Sequence, residues 1–180
     1  MKKAILSVVI VLVLLLIPSY SGNQTFGERN IKGFLRELYQ VDNTDDYQEL
    51  IEKYSYYLQE ISKAQPMEKG VHTIDPADAA EMSRTYIEKY QKYCSENALQ
   101  ELFRTGYITR FDQLAWEEEC QFFVRELQVM QDHGPQYSYI VEVERRAKDG
   151  SFQTKKSKGK VLLNEEGYVE RFRITSWAEF

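Results

Sequence analysis

The chain has 180 residues, with 23 Lys or Arg against 28 Asp or Glu, and therefore a net charge of −5. This length suits one domain, and a hydrophobic fraction of 43 % supports a packed core and excludes a disordered chain. An acidic chain lacks the basic footprint of nucleic-acid binding, so we expect no nucleic-acid partner. Because the chain has only two His and two Cys, we expect no metal site and no cofactor.

The first 21 residues have the features of an export segment. Lys2 and Lys3 precede an uninterrupted apolar run, residues 4–17, and small residues then match a signal-peptidase site. As a helix the run covers roughly 21 Å, less than the ~30 Å hydrocarbon core of a bilayer. We predict that residues 1–21 are either a cleaved signal peptide or an N-terminal membrane anchor. The rest of the chain is then extracytoplasmic, either secreted or anchored to the cytoplasmic membrane.

Amphipathic helical patterns follow a short polar tether, which we place at residues 22–30. Apolar residues recur every three or four positions in three successive segments, as on the buried face of a helix. These stripes are Ile31, Phe34, Leu35, Leu38 and Tyr39; Tyr47, Leu50, Ile51, Tyr54, Leu58 and Ile61; and Ala79, Met82, Tyr86, Ile87, Tyr90 and Tyr93. Asp75 and Pro76 form a favourable start for the third helix. A fourth, short helix is predicted over Glu96–Arg104 and ends before Gly106.

From about residue 107 the apolar period changes from 3.6 to 2, which predicts β-strands. Phe122 and Val124 alternate on one face and Leu127 and Val129 on the other, a slip that indicates a β-bulge. Turn residues separate three further strands, which we place near 137–143, 152–163 and 168–177. The sequence therefore predicts an α+β fold in which N-terminal helices pack on a curved, antiparallel four-stranded C-terminal meander. We assign residues 31–74 to a helical extension and residues 75–180 to the α+β domain.

Three passages of this domain resemble the nuclear-transport-factor-2-like (cystatin-like) fold. They are residues 86–90, residues 119–124, and residues 159–163 leading through a tight turn to residues 168–172. Residues 31–50 also resemble the opening of membrane-tethered domains of this fold in Gram-positive conjugation systems. The resemblance implies an extracytoplasmic assembly module that binds other proteins.

The same resemblance implies an alternative function. Enzymes of this fold, such as the ketosteroid isomerases, use an Asp base and Tyr donors in a cone between helices and sheet, where apolar surroundings tune the carboxyl group. Tyr107, Asp112 and Tyr139 are the residues that the pattern places there. Helix capping or pairing with Arg110 explains Asp112 equally well. This interpretation predicts a small-molecule binder or an isomerase-like enzyme.

The two cysteines have two interpretations in an exported chain. A disulfide between Cys94 and Cys120 would close a loop of about 25 residues and stabilise the fold by roughly 3–4 kcal/mol. Alternatively, they are two separate buried thiols, since cysteine often serves as a small core residue. The sequence leaves both interpretations open.

The remaining polar residues form no catalytic motif. His72 lies in a Pro- and Gly-containing loop and His133 in a turn, and neither accompanies a nucleophile. We interpret residues 117–119, three successive glutamates, as a solvent-exposed segment at the start of a strand rather than a cation site. Four lysines, Lys155, Lys156, Lys158 and Lys160, either protect a sheet edge or present a basic edge to an acidic partner or cell-wall polymer.

Together these features predict a non-catalytic extracytoplasmic module that acts by protein–protein contact. We expect a protein partner, with homo-oligomerisation as a further option and membrane attachment only through an uncleaved N-terminal segment. The alternative is a small-molecule binder or isomerase-like enzyme with a pocket between the helices and the sheet.

Overall fold

The structure, a computed structural model, describes residues 25–64, 79 and 81–180. The export segment, His72, the helix start at Asp75 and Pro76, and the domain boundary at residue 75 lie outside these residues. Within the described ranges, none of the helices combines the length and the apolar character needed to cross a membrane.

Helices precede strands along the described part of the chain. The five α-helices are α1 (Phe26–Tyr39), α2 (Asp45–Ala64), α3 (Arg84–Tyr90), α4 (Glu96–Arg104) and α5 (Arg110–Glu117), with a 3-10 helix at Tyr107–Thr109 between the last two. The strands are β1 (Cys120–His133), β2 (Gln136–Ala147), β3 (Phe152–Leu163) and β4 (Val169–Ser176). They form one antiparallel sheet in the order β1-β2-β3-β4. The predicted α+β class is confirmed.

Helix α1 begins at Phe26, so residues 26–30 are helical rather than part of a polar tether. The Thr25 hydroxyl accepts a hydrogen bond from the Glu28 amide and caps the helix. The buried Asn30 amide donates to the carbonyl oxygens of Tyr93 and Gly167 at 2.9 and 3.0 Å. These bonds fix the N-terminal part of α1 to the end of the sheet where β4 begins. The apolar stripe of α1 shares one core with the strands.

The switch from helix to strand occurs at Cys120, not near residue 107 as predicted. Helix α4 has the predicted bounds, and Gly106 beyond it adopts φ +69°, a left-handed conformation that ends the helix. The 3-10 helix and α5 then follow. The apolar positions Phe111, Leu114 and Ala115 in α5 do carry helical spacing. Because α5 is only eight residues long, its apolar stripe is too short for the sequence alone to distinguish this helix from irregular chain.

The strand predictions are largely confirmed. Strand β3 has the predicted bounds, and the register of β1 against β2 shifts between Val124 and Glu126, where the slip in alternation indicated a bulge. Strand β3 pairs with β2 along its length but with β4 only from Lys158 onward, so edge protection is the wrong interpretation for Lys158 and Lys160 and stays an interpretation for Lys155 and Lys156. Lys158 and Lys160 therefore lie in an inner strand and point to the outer face of the sheet, away from the helices.

Candidate functional site

Aromatic side chains fill the space between the helices and the inner face of the sheet. Phe111 of α5 is fully buried, and its ring centroid lies 5.0 Å from that of Tyr39, 4.9 Å from Phe122 and 5.4 Å from Trp177. Tyr139 is 1 % exposed and stacks on Phe172 at 5.7 Å. The centre of the space between the helices and the sheet is thus occupied by the protein's own side chains.

A satisfied hydroxyl network lies at the centre of this aromatic core. The Tyr39 hydroxyl is 2.7 Å from the Ser157 hydroxyl and 3.1 Å from the Tyr139 hydroxyl, and Ser157 also donates to the carbonyl oxygen of Ser176 at 3.0 Å. Burial raises the pKa of Tyr39 to about 12 and also raises that of Tyr139. Both phenols are neutral at physiological pH, and they are hydrogen-bonded to each other inside the core.

The structure does not assemble the three pocket candidates of the sequence. Tyr107 stacks on Trp177 at 5.6 Å and meets Phe172 edge-on at 6.1 Å. Because Tyr139 also contacts Phe172, these two tyrosines lie near each other. Asp112 instead lines an open cleft of about 350 Å³ between α1, α3 and the start of α5. The geometry of α5 explains why Asp112 is separated from the two tyrosines. Phe111 points into the core, and Asp112, the next residue, lies about 100° further round the helix axis.

Asp112 is nevertheless an unusual carboxyl group. It is only 4 % exposed, and burial raises its pKa to about 6. The Lys89 ammonium opposes this shift, whereas the charges of Asp46 and Glu37 reinforce it. The nearby hydroxyl of Tyr86 is buried and has no hydrogen-bond partner within the described ranges. Asp112 is thus a buried acid with a raised pKa, and the groups near it are the Lys89 ammonium and the Tyr86 hydroxyl rather than Tyr107 and Tyr139.

We expect Asp112→Asn to stabilise the protein at pH 7.5 by about 1–3 kcal/mol. The pKa of Asp112 is raised in the folded state to about 6, from about 3.9 in the unfolded chain. Folding is therefore accompanied by proton uptake at pH values between these two pKa values. The stability that the protonated acid contributes is therefore lost as the pH rises through 6. Denaturant unfolding at pH 4 and pH 7.5 measures this difference, and an equal gain at both pH values would contradict it.

Cys94 and Cys120 are free, buried thiols, so the disulfide interpretation is wrong for this structure. Cys94 bridges to Val169 at the start of β4, while Cys120 starts β1 at the opposite edge of the sheet. Helix α1, which is about 21 Å long, lies between the positions of these two cysteines. Burial raises the pKa of Cys94 to about 12, so its thiol is unreactive at neutral pH.

The other polar candidates occupy separate surface positions. His133 ends β1 at an exposed turn, Glu118 pairs with Arg145, and Glu119 pairs with Lys148. No group of three or more potential ligands among His, Cys, Asp and Glu is arranged to hold a metal in the residues the structure describes.

A second cleft lies at the free edge of β4, and of the three predicted pocket candidates Tyr107 lines it. It has a volume of about 580 Å³ and runs between α4 and β4. Ala98, Leu102, Tyr107 and Phe172 supply its apolar lining, and Arg171 and Arg173 border it. The alternation of basic and apolar residues from 171 to 174 was the available signal. Recognising it as a groove needed the position of α4, which no local pattern provides.

No family model matches the chain, and no curated protein is detectably similar to it in sequence.

Proposed function

We propose that this protein is a non-catalytic extracytoplasmic module, secreted or membrane-tethered, that works by contact with another protein. The filled aromatic core is the observation that carries the proposal. A small-molecule enzyme of this architecture needs an open chamber at the centre of the space between helices and sheet. That centre holds Tyr39, Phe111, Tyr139, Phe172 and Trp177 instead, and the cleft of about 580 Å³ lies at the edge of β4.

The distribution of reactive groups supports the same conclusion. Asp112 lies apart from Tyr107 and Tyr139, and the buried Cys94 is an unreactive thiol. The α+β fold is compatible with a nuclear-transport-factor-2-like domain. Together with the resemblance of residues 31–50, this compatibility supports a place in a cell-envelope assembly.

Site-specific photocrosslinking in cells of the source organism tests the proposal. A photoreactive residue is introduced singly at exposed positions on different faces, namely Arg29 on α1, Gln128 on β1, Phe152 on β3 and Arg173 on β4. We expect at least one position to yield a covalent adduct with the same protein in repeated experiments. Val141, which is fully buried, is the control and should yield none.

The contradictory outcome is equally specific. If all four exposed positions yield no protein adduct, the proposal fails, and a small molecule that copurifies with the chain would identify the protein as a ligand binder.

A further inference from the structure

The free edge of β4 and the cleft beside it form a groove bounded by a strand and a helix. The chain already uses the start of this edge: the Val169 amide donates to the carbonyl oxygen of Tyr93, and the Ser95 amide donates to that of Val169, both at 2.9 Å. Helix α4 then runs alongside β4 and leaves the cleft of about 580 Å³ between them. From residue 170 to 175 the outer edge has no backbone partner within the described part of the chain.

An added strand is the occupant that such an edge accepts. Unpaired amide and carbonyl groups on an edge strand bind an extended segment through main-chain hydrogen bonds, and pockets on either side select its alternate side chains. The residues of a β-strand that share one face repeat about every 6.6–6.8 Å. A segment paired with β4 would therefore place every second side chain into the cleft and the others over the outer face.

The two sides of this edge differ in chemistry. On the inner side the cleft is lined by Ala98, Leu102 and Phe172, which suits apolar side chains. On the outer side Arg171 and Arg173 are exposed, and neither has an ion-pair partner among the described residues. Lys160 lies directly opposite Arg173 in the β3–β4 register. The Lys160 ammonium lies 3.6 Å from the Asp132 carboxylate, whereas the two arginines have no such partner in the described part of the chain, so an acidic side chain above this edge would pair with the arginines.

We propose that the edge of β4 binds an extended segment of a partner protein in which apolar and acidic residues alternate. This inference rests on the proposed function and specifies its partner. A uniform polyanion or an anionic membrane fits less well, because Glu101 and Glu170 line the same cleft and the chain as a whole carries a net charge of −5. An alternating segment directs its acidic side chains only to the arginine side.

The probe is a blocked, fluorescent hexapeptide in which three Glu residues alternate with three Val residues. Its anisotropy is titrated with the full-length protein. We expect saturable binding, and about ten-fold weaker binding to the double variant Arg171→Glu/Arg173→Glu. Arg29→Glu is the matched control, because Arg29 is an exposed arginine on α1 away from the cleft, and its affinity should equal that of the wild type.

Two further measurements separate strand addition from simple charge attraction. Pairing with an edge uses the amides of alternate residues only, so N-methylation of either the three Val or the three Glu residues should abolish binding while the other set is tolerated. Arg173→Glu should retain or raise the melting temperature, because it places a carboxylate opposite Lys160. A loss of peptide affinity in this variant then cannot be attributed to unfolding.

Three results would each overturn the inference. They are unchanged affinity in the double variant, equal binding of both N-methylated peptides, and tighter binding to phosphatidylglycerol vesicles than to the peptide. If any of these is found while photocrosslinking at Arg29, Gln128 or Phe152 still captures one protein, the proposed function stands and its partner binds elsewhere. If no position captures a protein, both fail.

Discussion

Replacing Phe111 with Ala is expected to lower the free energy of unfolding by about 3–5 kcal/mol. The Phe111 side chain is fully buried and contacts the rings of Tyr39, Phe122 and Trp177. Its removal loses the transfer free energy of a whole ring and leaves a cavity, since neighbours packed from both helix and sheet cannot collapse fully into the space. Chemical denaturation of the full-length protein measures the loss.

This substitution also tests whether the core is filled. The variant should acquire a dry apolar cavity that binds benzene, whereas the wild type should not. Phe152→Ala is the matched control, because Phe152 is 70 % exposed and its truncation should change stability by no more than about 0.5 kcal/mol. Benzene binding to the wild-type interior with an affinity like that of the variant would show that the chamber is open and would contradict the proposed function.

Gly159→Ala is expected to destabilise the protein by about 1–3 kcal/mol. Gly159 lies in β3 opposite Tyr139 and Ile174, and a Cβ added there would meet the backbone carbonyl oxygen of Arg173 and the ring of Tyr139. A backbone oxygen cannot move aside as a flexible side chain can. The substitution would therefore force β4 away from β3 or displace Tyr139 from its hydrogen bond with Tyr39.

Thermal denaturation and the near-ultraviolet circular dichroism of the tyrosines measure this effect. Gly106→Asn is the control: a Cβ at Gly106 would meet nothing within 4 Å, and Asn tolerates the left-handed φ of +69°. A stable Gly159→Ala variant with an unchanged tyrosine spectrum would show that Tyr139 does not lie across this glycine.

The strands were predictable because their signals are local. These signals are the alternation in β2 and β3, the Asp149–Gly150 turn and the one-residue slip in β1. Each signal spans only a few residues, and each is confirmed by the observed register. The start of α1 was not predictable in the same way. Its N-terminal part is held by Asn30 through hydrogen bonds to Tyr93 and Gly167, which are distant in sequence.

The candidate site was predicted less well than the fold. The inward position of Tyr139 followed from strand alternation and is confirmed by its burial. The position of Asp112 depended on whether residues 110–117 form a helix and on the direction of that helix, and neither is determined by a single short stripe. The groove beside β4 depends on the packing of α4 against a strand some 70 residues later, which is a tertiary property.

Native mass spectrometry of the full-length protein, purified from its source organism under non-denaturing conditions, addresses the central claim most directly. If the aromatic core leaves no room for a ligand, we expect the mass of the polypeptide alone or in complex with another polypeptide. A one-to-one adduct with a small organic molecule, retained by Arg173→Glu and lost when Phe111 is enlarged to Trp, would show that the interior is a binding chamber and that contact with a protein is not its function.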